Sequence, residues 1–331
     1  MVYHSQPYVW FLAENFRFTA ASEFKGFVLI RIFLITLLLC FVTIVTALSQ
    51  ENVVDLDLHK VYFVEGPENF QPSGLTIING RLYTVSDKHD NFIYSLELTD
   101  DIAKAIPAVE IPLPLFSFIY SYDFEGITHD KSGNFYLASE TQCRILRVSP
   151  DGKNGNWMTP DLKPAGKKVG LFQTKNAYLE AICYISFDEF ILCAERQRRG
   201  FLEVNLGEKP IKIDAYPSEK SIFKFPDGTN NDFSGLCLFR NNIYVLERNA
   251  YLFCKLKREN AQLLETTGWS YRHVETAEPF RYADMKFGKA EGLCIDDQNI
   301  YIIIDNNNDH RFINPEDRRP ILMLFNHPEN F

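Results

Sequence analysis

Acidic side chains recur along this sequence at a fixed place in a repeated pattern. A short phrase of Ser or Glu, then Gly or Ala, then Leu or Ile opens at Ser73, Glu125, Glu180, Ser234 and Glu291. The openings are 52, 55, 54 and 57 residues apart, and an acid follows each opening by 13 to 15 residues. These acids are Asp87, Glu140, Glu195, Glu247 and Asp305. A fixed period of this length predicts a repeat architecture, in which equivalent acids meet around one axis.

The chemistry that such a group of acids could do is cation binding. Grouped carboxylates repel one another and hold protons unless positive charge lies among them. Ca²⁺ supplies such charge and takes about six to eight oxygen ligands. The sequence therefore predicts a calcium site with the candidate ligands Glu125, Glu180, Glu291, Glu140, Glu195 and Asp305, and with Asp87 and Glu247 as secondary candidates. The alternative is a ring of acid–base latches between repeats, made with the bases Lys88, Arg144, Arg196, Arg248 and Arg311.

Candidate catalytic side chains lie shortly after the same acids. Lys88 and Arg196 could steady an anionic substrate. His89 and His310 could serve as acid and base groups if the first and last repeats are neighbours. A solvated position at the rim is the alternative for each of these four residues. The sequence contains no Gly-x-Ser-x-Gly elbow, no glycine-rich phosphate loop and no CxxC pair, so a serine esterase, a P-loop enzyme and a zinc site are not expected.

The second copy of the repeat shows which elements must position these residues. Residues 130–134 (Asp-Lys-Ser-Gly-Asn) form a turn cluster between two short apolar runs, which predicts a hairpin. Residues 135–137 (Phe-Tyr-Leu) suit a buried strand, and residues 145–148 (Ile-Leu-Arg-Val) predict a third. Because antiparallel pairing joins the start of one strand to the end of the next, the phrase and its acid must lie close together.

The repeat predicts an all-β fold, specifically a β-propeller. Three clear strands and a variable stretch that can hold a fourth match four-stranded antiparallel blades. Five copies favour five blades, and a sixth, degenerate blade stays open. The segment from Val53 to Phe70 is expected to add an outer strand to the last blade and so close the ring. A β-sandwich is the alternative, but it does not explain one spacing of phrase and acid.

Composition sets limits on the partners of the chain. Its 331 residues are 46% hydrophobic and 14% aromatic, which is ample for one large core. The formal net charge is −9, and nothing favours a nucleic-acid partner, which would select a basic stripe. The expected partner is therefore a small anionic or ester substrate, or another protein.

The N-terminal segment resembles a secretory signal. Lys25 and Arg31 precede an uncharged run from Ile32 to Ile44, and Val45-Thr46-Ala47 matches a cleavage site. We interpret residues 1–49 as a signal peptide with an extended n-region, and residues 50–331 as a single propeller domain. The protein is then exported, either periplasmic or secreted. The alternative is a retained inner-membrane anchor that holds the propeller outside the cytoplasm, and only this alternative gives the chain a membrane partner.

Three cysteines share one repeat position. Cys183, Cys237 and Cys294 stand where two other copies have Thr76 and Thr128. We interpret them as small residues of inner strands. Cys183 and Cys193 are the only pair that we expect could face each other across one hairpin and form a disulfide.

Several of these motifs resemble the repeat signature of two exported bacterial propeller families. The motifs are Phe124-Glu-Gly-Ile127, Leu179-Glu-Ala-Ile182, Ala290-Glu-Gly-Leu293 and Val245-Leu-Glu-Arg-Asn249. One family is described as esterase-like activity of phytase, and the other, the SdiA-regulated family, contains five-bladed propellers with bound calcium. The resemblance covers residues 53–330 and implies calcium near Glu125, Glu180 and Glu291. Because Ser73 and Ser234 replace glutamate, the implied site lies off the ring axis.

Two functions follow from this interpretation. The first is a calcium-dependent hydrolase of phosphoesters or esters, in the manner that the family resemblance implies. The second is a non-catalytic propeller that binds a ligand or a protein, with an ion or a latch ring that stiffens the scaffold. The fold alone does not distinguish them.

Overall fold

Antiparallel hairpins make up nearly all of the described chain. The computed structural model describes residues 53–113, 121–196, 198–329 and 331. Two strands come first, β1 (Val53–Asp55) and β2 (Leu58–Glu65). Unit 1 is β3 (Pro72–Ile78), β4 (Arg81–Ser86), β5 (Phe92–Thr99) and β6 (Ile102–Glu110). Unit 2 is β7 (Phe124–His129), β8 (Phe135–Ser139), β9 (Arg144–Val148) and β10 (Gly155–Trp157).

The remaining strands repeat this arrangement. Unit 3 is β11 (Leu179–Ser186), β12 (Glu189–Ala194), β13 (Gly200–Asn205) and β14 (Lys212–Pro217). Unit 4 is β15 (Phe233–Phe239), β16 (Asn242–Glu247), β17 (Leu252–Glu259) and β18 (Gln262–Ser270). Unit 5 begins with β19 (Ala290–Ile295), β20 (Asn299–Ile304) and β21 (Ile321–Asn326). The short helices are α1 (Lys163–Lys168), α2 (Arg272–Glu275) and one 3-10 turn (Arg248–Ala250).

Pairing between distant strands closes these units into a ring. The strands of each unit pair antiparallel in chain order, and the first strands of neighbouring units contact one another. The ring closes where β19 meets β3. Strand β2 pairs antiparallel with β21 and completes unit 5, as predicted for the segment from Val53 to Phe70. The predicted β-propeller is confirmed, and the strands of the described residues group into five four-stranded units.

A β-bulge interrupts the inner strand of every unit at the repeated phrase. The pairing register shifts at five equivalent places: Ser73/Thr76, Phe124/Gly126, Leu179/Ala181, Phe233/Gly235 and Ala290/Gly292. A bulge adds one residue that the partner strand does not match, and it redirects the side chain at that point. The bulge is therefore the local device that directs Glu125, Glu180 and Glu291 away from the sheet and toward the ring axis.

The small residue of the phrase marks the place where neighbouring inner strands meet. A Cβ on Gly126 would lie 2.8 Å from the Ala181 Cα of the next unit. A Cβ on Gly292 would lie 2.7 Å from the carbonyl carbon of Gly74. A larger residue would therefore force the strands apart at the crowded axis.

Apolar side chains fill the space between adjacent units. Phe201 of unit 3 packs on Phe233 of unit 4, with ring centroids 4.9 Å apart. Both are fully buried, and each such side chain contributes about 2 to 3 kcal/mol to folding. From Val53 onward the described residues thus belong to one compact unit.

The cysteines of the described chain are all free and buried. Cys183 lies opposite Ile191 and Cys193 lies opposite Ala181, so the prediction that the two cysteines face each other is wrong. The register of the hairpin separates them, because the residue opposite Cys193 stands two positions before Cys183 in β11.

The predictions for the N-terminal segment concern residues outside those that the structure describes. They are the signal peptide or anchor over residues 1–49, with its charged residues, apolar run and cleavage site. None of the helices among the described residues is long and apolar enough to cross a bilayer.

Candidate metal centre

A cavity of about 660 Å³ opens at one mouth of the ring and is strongly acidic. Of the described residues that line it, ten are acidic and four are basic. The acids are Asp87, Asp123, Glu125, Glu140, Glu180, Glu195, Asp232, Asp284, Glu291 and Asp305. The bases are Lys88, Arg196, Arg248 and Lys289. All five units contribute, so the ring brings together acids that lie up to 218 positions apart in the sequence.

The hairpin geometry explains how each unit delivers a pair of acids. Glu125 lies in the bulge at the start of β7, and Glu140 follows the end of β8, where Phe124 pairs with Ser139. The same relation holds in unit 3 for Glu180 and Glu195, since Leu179 pairs with Ala194. Pairing of adjacent strands is local, and it brings the two acids of each unit to the same mouth.

Two groups of three carboxylates are close enough to share an ion. One oxygen each from Asp87, Asp123 and Glu125 lie within 4.8 Å of one another. The same is true of Glu140, Glu180 and Glu195, and all three of these residues are buried. Oxygens at such separations can coordinate a single hard cation.

Burial and mutual repulsion raise the pKa values of these acids. Burial, with the charges of Glu180 and Asp123, raises the pKa of Glu125 well above its usual value. Burial likewise raises the pKa of Glu180, although Arg248 opposes the rise. Burial and the neighbouring Glu140 raise the pKa of Asp123 to about 6. Carboxyls in this state gain from any cation that replaces their protons.

Arg248 neutralises a different part of the cavity. Its Nε donates to Asp232 Oδ2 at 2.9 Å, one terminal nitrogen donates to Glu195 Oε1 at 2.6 Å, and the other donates to Glu291 Oε1. These acids belong to units 4, 3 and 5, so one guanidinium joins three units. We call Glu195, Asp232, Glu291 and Arg248 the arginine half of the cavity.

Five of the seven remaining carboxylates form what we call the acidic half: Asp87, Asp123, Glu125, Glu140 and Glu180. Asp284 and Asp305 belong to neither half. Of the basic side chains that the structure describes, the only one paired with the acidic half is Lys88, which bonds Asp87 and is half exposed at the rim. Among the described residues, Glu180 has no hydrogen bond or ion pair, although it is only 7% exposed. Glu140 accepts a single backbone bond from Tyr178 at 2.9 Å. A buried carboxylate without a donor is costly, so the acidic half is under-neutralised.

Further buried oxygens lack a donor among the described residues. They are Asp87 Oδ1 in the acidic half, and Asp232 Oδ1 and Glu291 Oε2 in the arginine half. In the acidic half, Asp87 Oδ1 and the neighbouring carboxylates of Asp123 and Glu125 are a donor set of oxygens only, which suits a hard cation such as Ca²⁺ and not a soft one. The residues present therefore fit the predicted ion.

Three of the predicted site residues lie away from the cavity. The Glu247 side chain of unit 4 pairs with Arg199 of unit 3, and both side chains are fully buried. His89 points to the carbonyl oxygen of Glu68 at 2.9 Å, and His310 lies 3.4 Å from the Asp309 carboxylate. Lys88 and Arg196 do line the mouth, as do the other seven predicted acids.

Four charged lining residues were not identified from the sequence. They are Asp123, Asp232, Asp284 and Lys289. Three of them share a repeat position, since Asp123, Asp232 and Lys289 each stand two residues before a phrase opens. That position, which is occupied by Gln71 and Tyr178 in the other copies, was the available signal. Asp284 does not occupy a repeated position.

Comparisons with known proteins agree with the fold. A family model described as phytase-like, esterase-like activity of phytase, matches residues 71–308. The glutaminyl cyclase of Myxococcus xanthus has 11% identity, covers 84% of this chain and 100% of its own, and superposes with a TM-score of 0.50. The PQQ-bound aldose sugar dehydrogenase of Streptomyces coelicolor has 9% identity, a TM-score of 0.45 and coverages of 82% and 98%. The similarity to the glutaminyl cyclase shows the fold alone. No curated protein matches the sequence.

Proposed function

The chain belongs to the phytase-like family described as esterase-like activity of phytase, and we propose that it is a calcium-dependent hydrolase of phosphoester or carboxylic ester bonds. The substrate is a small molecule that enters the acidic cavity with its ester group foremost. The observation that carries this proposal is the acidic half, where five carboxylates meet and Lys88 at the rim is the only base in contact with them among the described residues.

The residues that would hold the ion are those of the acidic half. Asp87, Asp123 and Glu125 offer three oxygens close together, and Glu140 and Glu180 offer two more beside them. A bound Ca²⁺ would polarise the ester or phosphoryl oxygen and lower the pKa of an attacking water. The resemblance had pointed to Glu125, Glu180 and Glu291, but Glu291 is held by Arg248, so we place the ion nearer Asp87 and Asp123.

Other side chains at the mouth would bind and orient the substrate. Lys88 and Arg196 are partly exposed there and can contact an anionic group as it enters. Phe287 lines the same cavity and is 45% exposed, so it can cover an apolar leaving group. Burial raises the pKa of Asp305 to about 7, which suits a side chain that exchanges a proton near neutral pH.

The experiment is an assay of purified protein on p-nitrophenyl phosphate, p-nitrophenyl acetate and inositol phosphates, with calcium and with chelator. We expect turnover of at least one substrate that chelator abolishes and calcium restores. Glu180→Gln should reduce the rate at least about 10-fold at limiting calcium, because it removes one charged ligand. Glu208→Gln, on an exposed turn of the same unit, is the matched control. The absence of turnover under all conditions would reject the hydrolase.

A non-catalytic binding propeller is the second candidate, and the inter-unit ion pairs favour it. Arg248 joins three units, and the buried Arg199 joins Glu247 to Glu265 with an Arg199–Glu265 distance of 2.6 Å. Such pairs act as latches between neighbouring repeats. Calcium binding in the absence of any turnover would support this candidate.

We also propose that the chain is exported, as the N-terminal segment predicts. N-terminal sequencing of the protein recovered from outside the cytoplasm tests this. A mature end near residue 48 would support signal cleavage, and an intact end in the membrane fraction would support the anchor. Recovery of the full chain from the cytoplasm alone would contradict both.

A further inference from the structure

The two halves of the cavity differ in how their carboxylates are neutralised. In the arginine half, three carboxylates from three units converge on the guanidinium of Arg248. In the acidic half, five carboxylates converge, and the one base paired with them among the described residues, Lys88, lies half exposed at the rim. Glu180 of the acidic half and Glu291 of the arginine half are equally buried at 7% exposure, whereas Asp87, Asp123 and Glu125 are half-buried.

Arg248 has the surroundings of a metal ion. Its side chain is 11% exposed, and three carboxylate oxygens from different elements surround its guanidinium. Burial alone would lower the pKa of Arg248, but the charges of Asp232, Glu291 and Glu180 raise it well above its usual value, so the cation is permanent. A fixed cation in this place excludes a second cation by repulsion and by occupying its ligands.

We propose that the cavity takes one divalent cation, in the acidic half, and that Arg248 acts as a built-in cation in place of a second ion. This inference rests on the proposed calcium site. It assigns a stoichiometry of one ion per chain, and it makes Arg248 a positioning residue that keeps Glu195, Asp232 and Glu291 in place before the ion binds.

The arginine half retains the oxygens that a second ion would need. Asp232 Oδ1 and Glu291 Oε2 are buried there without a donor among the described residues, while their partner oxygens bond Arg248. Removal of the guanidinium would free one further oxygen each of Asp232 and Glu291, whereas Glu195 Oε1 would stay paired with Arg196. The vacated position would then present four carboxylate oxygens of Asp232 and Glu291, a set that a hard cation can use.

The test is the number of ions bound by the native chain and by Arg248→Gln. Calcium is counted by equilibrium dialysis with elemental analysis, and terbium luminescence gives a second count. We expect one ion per native chain and two per Arg248→Gln chain. The double variant Arg248→Gln/Glu291→Gln should return the count to one, because it removes a ligand of the new site.

Two further variants separate charge from structure. Arg248→Lys keeps a cation in the arginine half and should bind one ion. Arg240→Gln makes the same change at an exposed arginine of unit 4, which pairs with Asp297 at 2.8 Å, and should also bind one. If Arg248→Gln is unfolded in chelator, we expect calcium to restore its folding cooperatively with two ions bound, as measured by circular dichroism.

Each result has a definite meaning. No ion on the native chain would reject the proposed function itself. Two ions on the native chain, or one ion on a folded Arg248→Gln chain, would reject the role of Arg248 and leave the calcium site intact. Failure of calcium to refold an unfolded Arg248→Gln chain would also reject that role.

Discussion

Glu180 and Glu291 occupy the same repeat position, yet they have different partners. Both follow a bulge and both enter one cavity, but only Glu291 bonds Arg248. Burial raises the pKa of both acids, to about 8 in Glu291. The two acids therefore differ in whether an arginine bonds them directly, and not in burial. This difference decides in which part of the cavity a bound cation would stabilise the carboxylates most.

The raised pKa values predict that the free energy of unfolding depends on pH, and that calcium weakens this dependence. Asp123, Asp305 and Glu291 have folded pKa values of about 6, 7 and 8, against an ordinary value near 4. Between about pH 4 and pH 8 the folded chain holds more protons than the unfolded chain, so the free energy of unfolding falls as pH rises. Each proton contributes about 1.4 kcal/mol per pH unit to the slope.

Urea unfolding in chelator and in calcium, at steps from pH 5 to pH 9, measures this effect. In calcium we expect a smaller decline, because the ion binds the ionised carboxylates of the folded state only. Calcium affinity should accordingly rise with pH across the same range. Identical curves in chelator and calcium would contradict ion binding by the acidic half.

At the scale of the element, one inner strand performs two tasks at a single phrase. Its bulge directs an acid to the axis, and the small residue beside the bulge lets the next inner strand approach. In β7 these residues are Glu125 and Gly126, and the contact is with Ala181 of β11. The acid and the small residue occur together in units 2, 3 and 5, whereas Ser73 and Ser234 take the place of the acid in units 1 and 4.

Gly126→Ala should weaken the contact between units 2 and 3. The added Cβ would meet the Ala181 Cα at 2.8 Å, and backbone cannot yield as a flexible side chain can. We expect a loss of about 1 to 3 kcal/mol in the free energy of unfolding, typical of overpacking. Gly207→Ala is the matched control, because its Cβ would meet only side-chain atoms, those of Asn205 at 3.2 Å and of Asp188 at 3.7 Å.

Equal losses in the two glycine variants, measured by urea unfolding, would show that the close approach of the strands carries no particular cost. A loss confined to Gly126→Ala, together with weaker calcium binding, would link the strand contact to the cavity.

At the scale of the whole molecule, the first and last parts of the chain complete one unit. Strand β2 supplies the outer strand of unit 5 and pairs in parallel with β6 of unit 1. The cavity depends on this closure, since Asp87 of unit 1 and Asp305 of unit 5 lie on either side of it. A ring that opens here would separate acids that the proposed site needs together.

Val61→Pro should therefore destabilise the entire propeller. Val61 is buried in β2 opposite Met323, and proline removes a backbone donor and the side-chain packing. We expect the free energy of unfolding to fall by about 3 kcal/mol or more. Val54→Pro in the short, exposed β1 is the control and should cost much less. Comparable losses in thermal unfolding would contradict the closing role of β2.

The sequence by itself determined the repeat, the hairpins and the mouth at which seven of the eight predicted acids gather. It could do so because antiparallel pairing within a hairpin is local, and a bulge with a small residue has a recognisable pattern. Only the tertiary structure decided the partners of those acids. Arg248 reaches acids of three units, and Glu247 turns instead toward Arg199, 48 positions away. These choices depend on the direction of side chains across unit boundaries, where spacing along the chain carries no information.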